Sequence, residues 1–503
     1  MCTDKSDFFH FYYYVVKGEK VRYRIALLSY VFMLQVCERF SEEGGNQMGK
    51  TGVKENKMGV MPVKKLIVNM SVPMMISMLV QALYNIVDSV FVAQLGEEAL
   101  TAVTLAFPLQ NLMIAVGSGM GVGINAMLSK ALGEKNYKES DAAAGNGLFI
   151  TFINAVIFIL VGLFVTGPFI KSQSADAAII GYGDTYLSIV CSLSFGLFFQ
   201  MTFERLLQST GMTMLSMVSQ TSGAVFNIIF DPIMIFGLCG FPKMGVAGAA
   251  YATILGQCFA AVLGLIMNLK FNKEIHFSFA KVIHPSLLVI RRILYVGIPT
   301  VLMMSIGSVM TYSMNLILAA FSATAVAVFG VYFKLQSFFF MPVFGLNNGL
   351  IPVLAYNYGA RNKSRIDEAL KFSFILAFCI MLTGTITFEL FPQQLLSIFN
   401  ASDDMMAMGT VALRTIAVHF PIASMGIMMG SIFQAFSESM YSLFVSIGRQ
   451  LVVLIPAAYL LSLTGNVNNI WWCFLIAEIA SFVLSLHFFR KLYNRKVVPL
   501  EEK

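Results

Sequence analysis

Charge is what this chain has least of. Asp, Glu, Lys and Arg make up 12% of its 503 residues against 57% hydrophobic, and long apolar runs recur along almost the whole length. A soluble domain with so few charges would not stay in solution, so composition places the chain in a bilayer as a polytopic membrane protein. Cysteine is also sparse: Cys2, Cys37, Cys191, Cys239, Cys258, Cys379 and Cys473 stand singly, mostly in apolar runs. No pair has zinc-site or redox spacing, and no disulfide framework is visible. The five histidines, His10, His276, His284, His419 and His487, are equally scattered, so neither a metal centre nor a cofactor is expected. Loops between the apolar runs are short, which leaves no room for a soluble catalytic domain and argues against an enzyme.

The net charge of +7 does not call for a nucleic-acid partner. Basic residues of membrane proteins gather in cytoplasmic loops and set orientation. From Lys64 onward twelve apolar spans can be counted, with approximate edges 66–95, 100–130, 143–170, 179–203, 212–237, 245–269, 289–320, 323–356, 370–392, 405–433, 440–463 and 468–489. With the first span starting inside, twenty basic residues fall on cytoplasmic segments, Arg205 and Lys281 among them, and only Lys171 and Lys243 fall outside. Both ends of the bundle are therefore expected in the cytoplasm. Residues 1–60 do not share the pattern. Their one apolar run, Ile25–Cys37, is short for a span, and Gly44–Val60 is polar, so a poorly structured extension is expected there. The chain then divides into a lobe over 61–280, a second over 281–495, and a tail over 496–503.

Sliding the sequence by 226 positions reveals an internal repeat. Pro73 falls on Pro299, Leu109-Gln110 on Leu335-Gln336, and Gly119 and Gly123 on Gly345 and Gly349; Gly133, Asn136 and Asp141 fall on Gly359, Asn362 and Asp367. An even shift of six spans makes the halves parallel repeats about an axis along the membrane normal, an arrangement of transporters that alternate access between two lobes. The expected fold is an all-α integral membrane protein of twelve helices in two six-helix lobes.

Polar residues inside the spans mark the candidate site. Met70–Gly96 carries Pro73, Gln81, Asn85 and Asp88, the last three at i, i+4 and i+7 and so on one face. An aspartate within a span costs about 2.5–3.5 kcal/mol on insertion scales and is by default a functional hypothesis; the plain alternative is an aspartate satisfied within the bundle. The fifth span adds Asn227 and Asp231, one turn apart, and the sixth adds Thr253. Counted from Gly96, Gly237 and Gly245, Asp88, Asp231 and Thr253 all lie about 9–12 Å below the outer edge. Two carboxylates, an amide and a hydroxyl can thus share one layer, able to hold a proton or a small cation. The second lobe has Met314 where Asp88 stands in the first and instead carries Lys334, Arg414, His419 and Arg449. Lys334 is expected to face the cavity or to pair with an acid such as Glu478 or with a carbonyl, and His419 to be a packed, satisfied histidine. Met74, Met75, Met78, Met303, Met304, Met310 and Met314 suggest a pliable apolar surface. The run Gly117–Gly123, GSGMGVG, lies inside a span, where small residues let helices approach closely, and is not a nucleotide-binding loop.

Twelve spans, the six-plus-six repeat, YNIVDSVFVAQLG at 84–96 and the eighth-span run from Phe329 to Arg361 together resemble the multidrug and toxic compound extrusion (MATE) family, in particular its MepA-like and DinF-like bacterial branches. The resemblance covers about Lys64 to Arg495. It implies a bacterial inner-membrane antiporter that exports amphipathic, mostly cationic drug-like molecules against protons or sodium. It further implies Asp88, Asn227, Asp231 and Thr253 as the ion-coupling group, Pro73 as a helix bend, and Tyr84 and Tyr186 as aromatic neighbours. Gln81, Tyr84, Asn85, Met304 and Lys334 are the candidate cavity residues. The sodium-coupled NorM-like branch keeps acids in its seventh and tenth helices; this chain has none over 297–320 or 405–433, so proton coupling through Asp88 is expected first. A monomer is expected. The rival reading is a flippase for lipids or lipid-linked oligosaccharides on the same fold.

Overall fold

The computed structural model describes residues 56–238, 240–276, 282–399 and 401–500. The expected extension lies outside the described residues up to residue 55, as do Lys281 and Lys503. The first lobe holds α1 (Val63–Ala93), α2 (Glu97–Gly133), α3 (Tyr137–Phe164), α4 (Ala177–Ser192), α5 (Phe195–Ser209), α6 (Thr213–Phe236) and α7 (Val246–Phe271). The second holds α8 (Leu287–Ala319), α9 (Ala323–Gly359), α10 (Lys363–Leu390), α11 (Asp403–Ala417), α12 (Phe420–Ala435), α13 (Ser439–Ile447), α14 (Ile455–Ser462) and α15 (Trp472–Lys496).

Two spans expected to be single helices are broken. α4 and α5 meet at 47°, and α11 and α12 at 48°. The eleventh span relaxes into a π-helical stretch, Gly448–Leu454, between α13 and α14. Among the described residues nine helices pass as spans by length and hydropathy, and the bent pairs bring this to eleven. The twelfth, α6, is 24 residues long but too polar to pass, because Ser216, Ser219, Gln220, Thr221, Asn227 and Asp231 lie along it. Such a helix is stable in a membrane only when its polar side chains are turned into the bundle, and Ser216, Ser219, Thr221, Asn227 and Asp231 are indeed buried.

The repeat governs the helix boundaries themselves. α2 and α9 span 97–133 and 323–359, α3 and α10 span 137–164 and 363–390, and α7 and α15 begin at 246 and 472, each 226 apart. Even irregular backbone recurs: Lys135 and Arg361 take φ of 58° and 54°. The next residues, Asn136 and Asn362, cap α3 and α10 by accepting from the backbone N–H of Glu139 and Arg365, the Asx capping that satisfies free N–H groups at a helix start.

The lobes pack on each other by exchanging partners: α2 lies on α8 and α9 lies on α1. The glycine stripes make this possible. A Cβ on Gly119 would sit 2.6 Å from the Val301 side chain, and one on Gly123 2.4 Å from the Ile293 carbonyl. A Cβ on Gly345 would sit 2.6 Å from the Met75 backbone, and one on Gly349 2.8 Å from Ser71 Cα. At the Lys- and Arg-rich end the seam is closest of all. The turn Lys57–Val60 crosses it there, inside the stretch read as poorly structured, with Met58 fully buried. The Met58 carbonyl accepts from Asn357 and Arg365 of the second lobe, while the Asn56 amide donates to Glu274 and the Thr210 carbonyl of the first.

Candidate functional site

Within the first lobe, α1, α6 and α7 bring Asp88, Asn227, Asp231 and Thr253 into one layer. The Asn227 amide donates to Asp231 Oδ1 and to Thr253 Oγ1, both at 3.2 Å. All three residues are buried: Asn227 is 3%, Asp231 0% and Thr253 5% exposed. The Asp88 and Asp231 carboxyl groups lie within hydrogen-bonding reach of each other. Yet neither Asp88 Oδ1 nor Asp231 Oδ2, both buried, has a donor among the described residues. Carboxylates in contact repel unless a proton or a cation lies between them, and orphaned buried oxygens of this kind need such an explanation.

Tyr84, one turn before Asp88, and the buried Tyr186 of α4 both lie within charge range of the two acids. The cluster is therefore walled by aromatic rings on the side of α4. Gln81, two turns from Asp88, accepts from Gln220 of α6 at 3.0 Å, and Ser77 also bonds Gln220. Asn85, expected on the same face, is instead exposed; α1 turns Gln81 and Asp88 toward α6 and leaves Asn85 outside the cluster. Pro73 is buried in a helix that runs unbroken from Val63 to Ala93, at the level where Gly345 and Gly349 press on Met75 and Ser71.

Lys334 is exposed and does not pair with Glu478; its Nζ lies 6.0 Å from the Phe399 ring centre. Glu478, 4% exposed, pairs with Arg449 at 3.2 Å. His419 is buried, with Nδ1 on the Ile416 carbonyl and its ring stacked 5.9 Å from Phe474. Arg414 lies at the rim, bonded to the Glu389 carbonyl. Met304 is half-buried on α8, whereas Met74 and Met314 are buried in the packing.

Sequence reading missed the polar seam between the lobes. Arg205, counted with the loops, is buried inside α5 and donates to Gln208 at 2.9 Å and, across the seam, to Asn348 of α9 at 3.1 Å. Its neighbour Glu204 is also buried and accepts from Gln200. The signal was present: an adjacent Glu and Arg sit between Phe203 and Leu206-Leu207, in apolar sequence where loop charges do not belong.

The comparisons with known proteins agree with this architecture. The MatE family model matches twice, over 73–233 and 299–460, and the two matches start 226 residues apart. A multidrug export protein, MepA, of Staphylococcus saprophyticus is 27% identical over 447 residues, covering 88% of this chain and 96% of the relative. An FAD transporter of Shewanella oneidensis is 26% identical over 411 residues, covering 81% and 90%. A multidrug resistance MATE transporter of the MOP superfamily, solved in an outward-facing conformation, superposes with a TM-score of 0.83 at 26% identity, over 89% of this chain and 99% of that one. The doubled match, the two-lobed twelve-span bundle and the length of these alignments make this chain a member of the MatE family of membrane transporters.

Proposed function

We propose that the protein is a secondary active antiporter, not an enzyme. It exports amphipathic, mostly cationic molecules in exchange for protons, with sodium as the alternative ion. The observation that carries this reading is the Asp88–Asp231 pair, two neighbouring carboxyl groups of which one buried oxygen each, Asp88 Oδ1 and Asp231 Oδ2, lacks a donor among the described residues. A proton held between them removes their repulsion, and its loss restores a negative site that attracts a cation. The Asn227 amide, which also donates to the Thr253 hydroxyl, holds Asp231 in place, and the half-buried Tyr84 gives a cationic ring system a face to rest on.

α1 links this chemistry to the lobe seam. It carries Asp88 on its outer half, and on its inner half the Ser71–Met75 segment that α9 presses upon, with Pro73 between. A change in how Asp88 is held therefore reaches the contact between the lobes through a helix already weakened at Pro73. An ion that binds one arrangement more tightly than the other shifts the balance between them. The names of the relatives, multidrug export and FAD transport, support export of bulky ring systems. The distribution of Lys and Arg supports both ends being cytoplasmic, the bacterial relatives support a bacterial inner-membrane location, and the protein is taken to act as a monomer. The test is efflux of a cationic dye from proteoliposomes under an imposed proton or sodium gradient, with Asp88→Asn as the control.

A further inference from the structure

We propose that Arg449 of the second lobe is a binding point for an anionic group, a carboxylate or phosphate, on the molecules this protein moves. The proposal rests on the export reading above and adds to it a substrate class, amphiphiles that carry negative charge.

The second lobe has no counterpart of Asp88, but it has a charged group at the matching level. Thr253 corresponds to Ile479 under the 226 shift, and Glu478 is the residue before it, so the Arg449–Glu478 pair occupies the layer that holds the acid cluster in the first lobe. Glu478 lies on the inward face of α15 with Phe474, Ala477 and Ser481, all buried, while Ile476, Ile479 and Val483 face outward. Arg449 reaches it from the eleventh span, and the charges of both act on the buried Tyr332 and His419. The guanidinium is therefore inside the lobe rather than at its lipid surface.

Three features separate this pair from a plain structural ion pair. The contact is single, Nη1 to Glu478 Oε2, whereas an arginine locked for packing pairs in two-pronged fashion and satisfies its remaining donors. The two partners are unevenly buried, the arginine side chain 32% exposed against 6% for the glutamate. Arg449 also stands in the π-helical stretch Gly448–Leu454, a local widening found mostly at functional sites. Tyr332 and Phe474, with ring centres 5.7 Å apart, and Phe329, 6.1 Å from Phe474, are buried and form a packed aromatic layer in the same lobe. A forked guanidinium matches the oxygens of a carboxylate or phosphate. An arriving anion takes the free N–H groups while Glu478 keeps the arginine oriented.

The test uses the full-length protein in detergent and in proteoliposomes, as wild type, Arg449→Gln, Arg449→Lys and Glu478→Gln, each checked for a monodisperse folded state. Binding of carboxyfluorescein and of ethidium is read by anisotropy, and NBD-labelled phosphatidylglycerol is followed for transbilayer movement. Arg449→Gln is expected to weaken carboxyfluorescein at least tenfold while leaving ethidium within twofold. Arg449→Lys is expected to retain most of the affinity, and Glu478→Gln to strengthen it several-fold by freeing the guanidinium. Arg449-dependent movement of the labelled lipid without dye binding assigns the anion to a lipid headgroup; dye binding without lipid movement assigns it to a free solute. The proposal is overturned if the wild type handles neither anionic probe, or if Arg449→Gln leaves both unchanged or weakens ethidium equally. Failure here with ion-driven ethidium efflux intact leaves the antiporter reading standing; loss of that efflux in the wild type removes the reading itself.

Discussion

Gly133 and Gly359 press their backbones together across the lobe seam: a Cβ on Gly133 would sit 1.9 Å from the Tyr356 carbonyl, and one on Gly359 2.2 Å from the Lys130 carbonyl. The two residues are equivalent under the 226-residue repeat, so the same loop of each lobe meets its counterpart. Backbone cannot yield as a flexible side chain does. Gly133→Ala and Gly359→Ala are therefore expected to hold this end of the lobes apart, lowering transport at least tenfold in a protein that still folds. Spin labels placed on the α2–α3 and α9–α10 loops read the separation directly; an unchanged distance distribution would count against the seam being this tight.

Across the same seam, Asn348 accepts from Arg205. Asn348→Ala leaves a buried guanidinium N–H without that acceptor, at a cost of about 1–3 kcal/mol. The expected result is a lower thermal midpoint together with a shift toward the conformation in which the lobes part at this end. An unchanged midpoint would show that the Gln208 and Ser118 bonds of Arg205 suffice without Asn348.

Lys57, in the turn that crosses the seam, is pushed down to about 8 by burial, while its Nζ donates to Asn69 at 2.8 Å. The folded protein thus disfavours the charged form relative to an exposed lysine near 10.4. The sign follows: between about pH 8 and 10.4 the undocked turn binds more protons than the docked one, so docking strengthens as pH rises through that window and gains nothing further below it. Amine acylation read by mass spectrometry should show Lys57 half-titrating near pH 8, well below the ~10.4 of a free lysine.

Much of the fold was legible because membrane spans and repeats leave plain marks. Hydropathy located the spans, and the 226 offset read from Pro73, Gly119, Gly133 and their partners recurs in the helix boundaries as far as α7 and α15. Depth counted from terminal glycines placed Asp88, Asp231 and Thr253 in one layer, and the structure brings them together with Asn227. Helical periodicity failed for Asn85, because a shared face on α1 is wide enough that Gln81 and Asp88 meet α6 while Asn85 does not. For Lys334 the sequence left the cavity, an acid and a carbonyl open; Glu478 is taken by Arg449, and pairing between distant spans is decided by packing that no one span reveals. Arg205 was misplaced because a rule that sorts basic residues into loops has no place for one buried in a bundle.

Gln220 links Gln81 and Ser77 of α1 to α6, one helix face below the acids. Gln220→Leu removes both bonds and frees the inner half of α1 from α6. Ion-driven efflux is expected to fall several-fold with dye affinity little changed, since the residue touches neither Asp88 nor Asp231 through any hydrogen bond. A large loss of dye affinity instead would place Gln220 in the binding surface.

The central claim, that the Asp88–Asp231 pair couples ion movement to export, is tested most directly by ethidium efflux from proteoliposomes under an imposed gradient, comparing wild type with Asp88→Asn. The account predicts that a proton gradient drives efflux by the wild type, and that Asp88→Asn loses gradient-driven efflux by at least tenfold while still binding dye. Efflux by Asp88→Asn at the wild-type rate under the same gradient would contradict it.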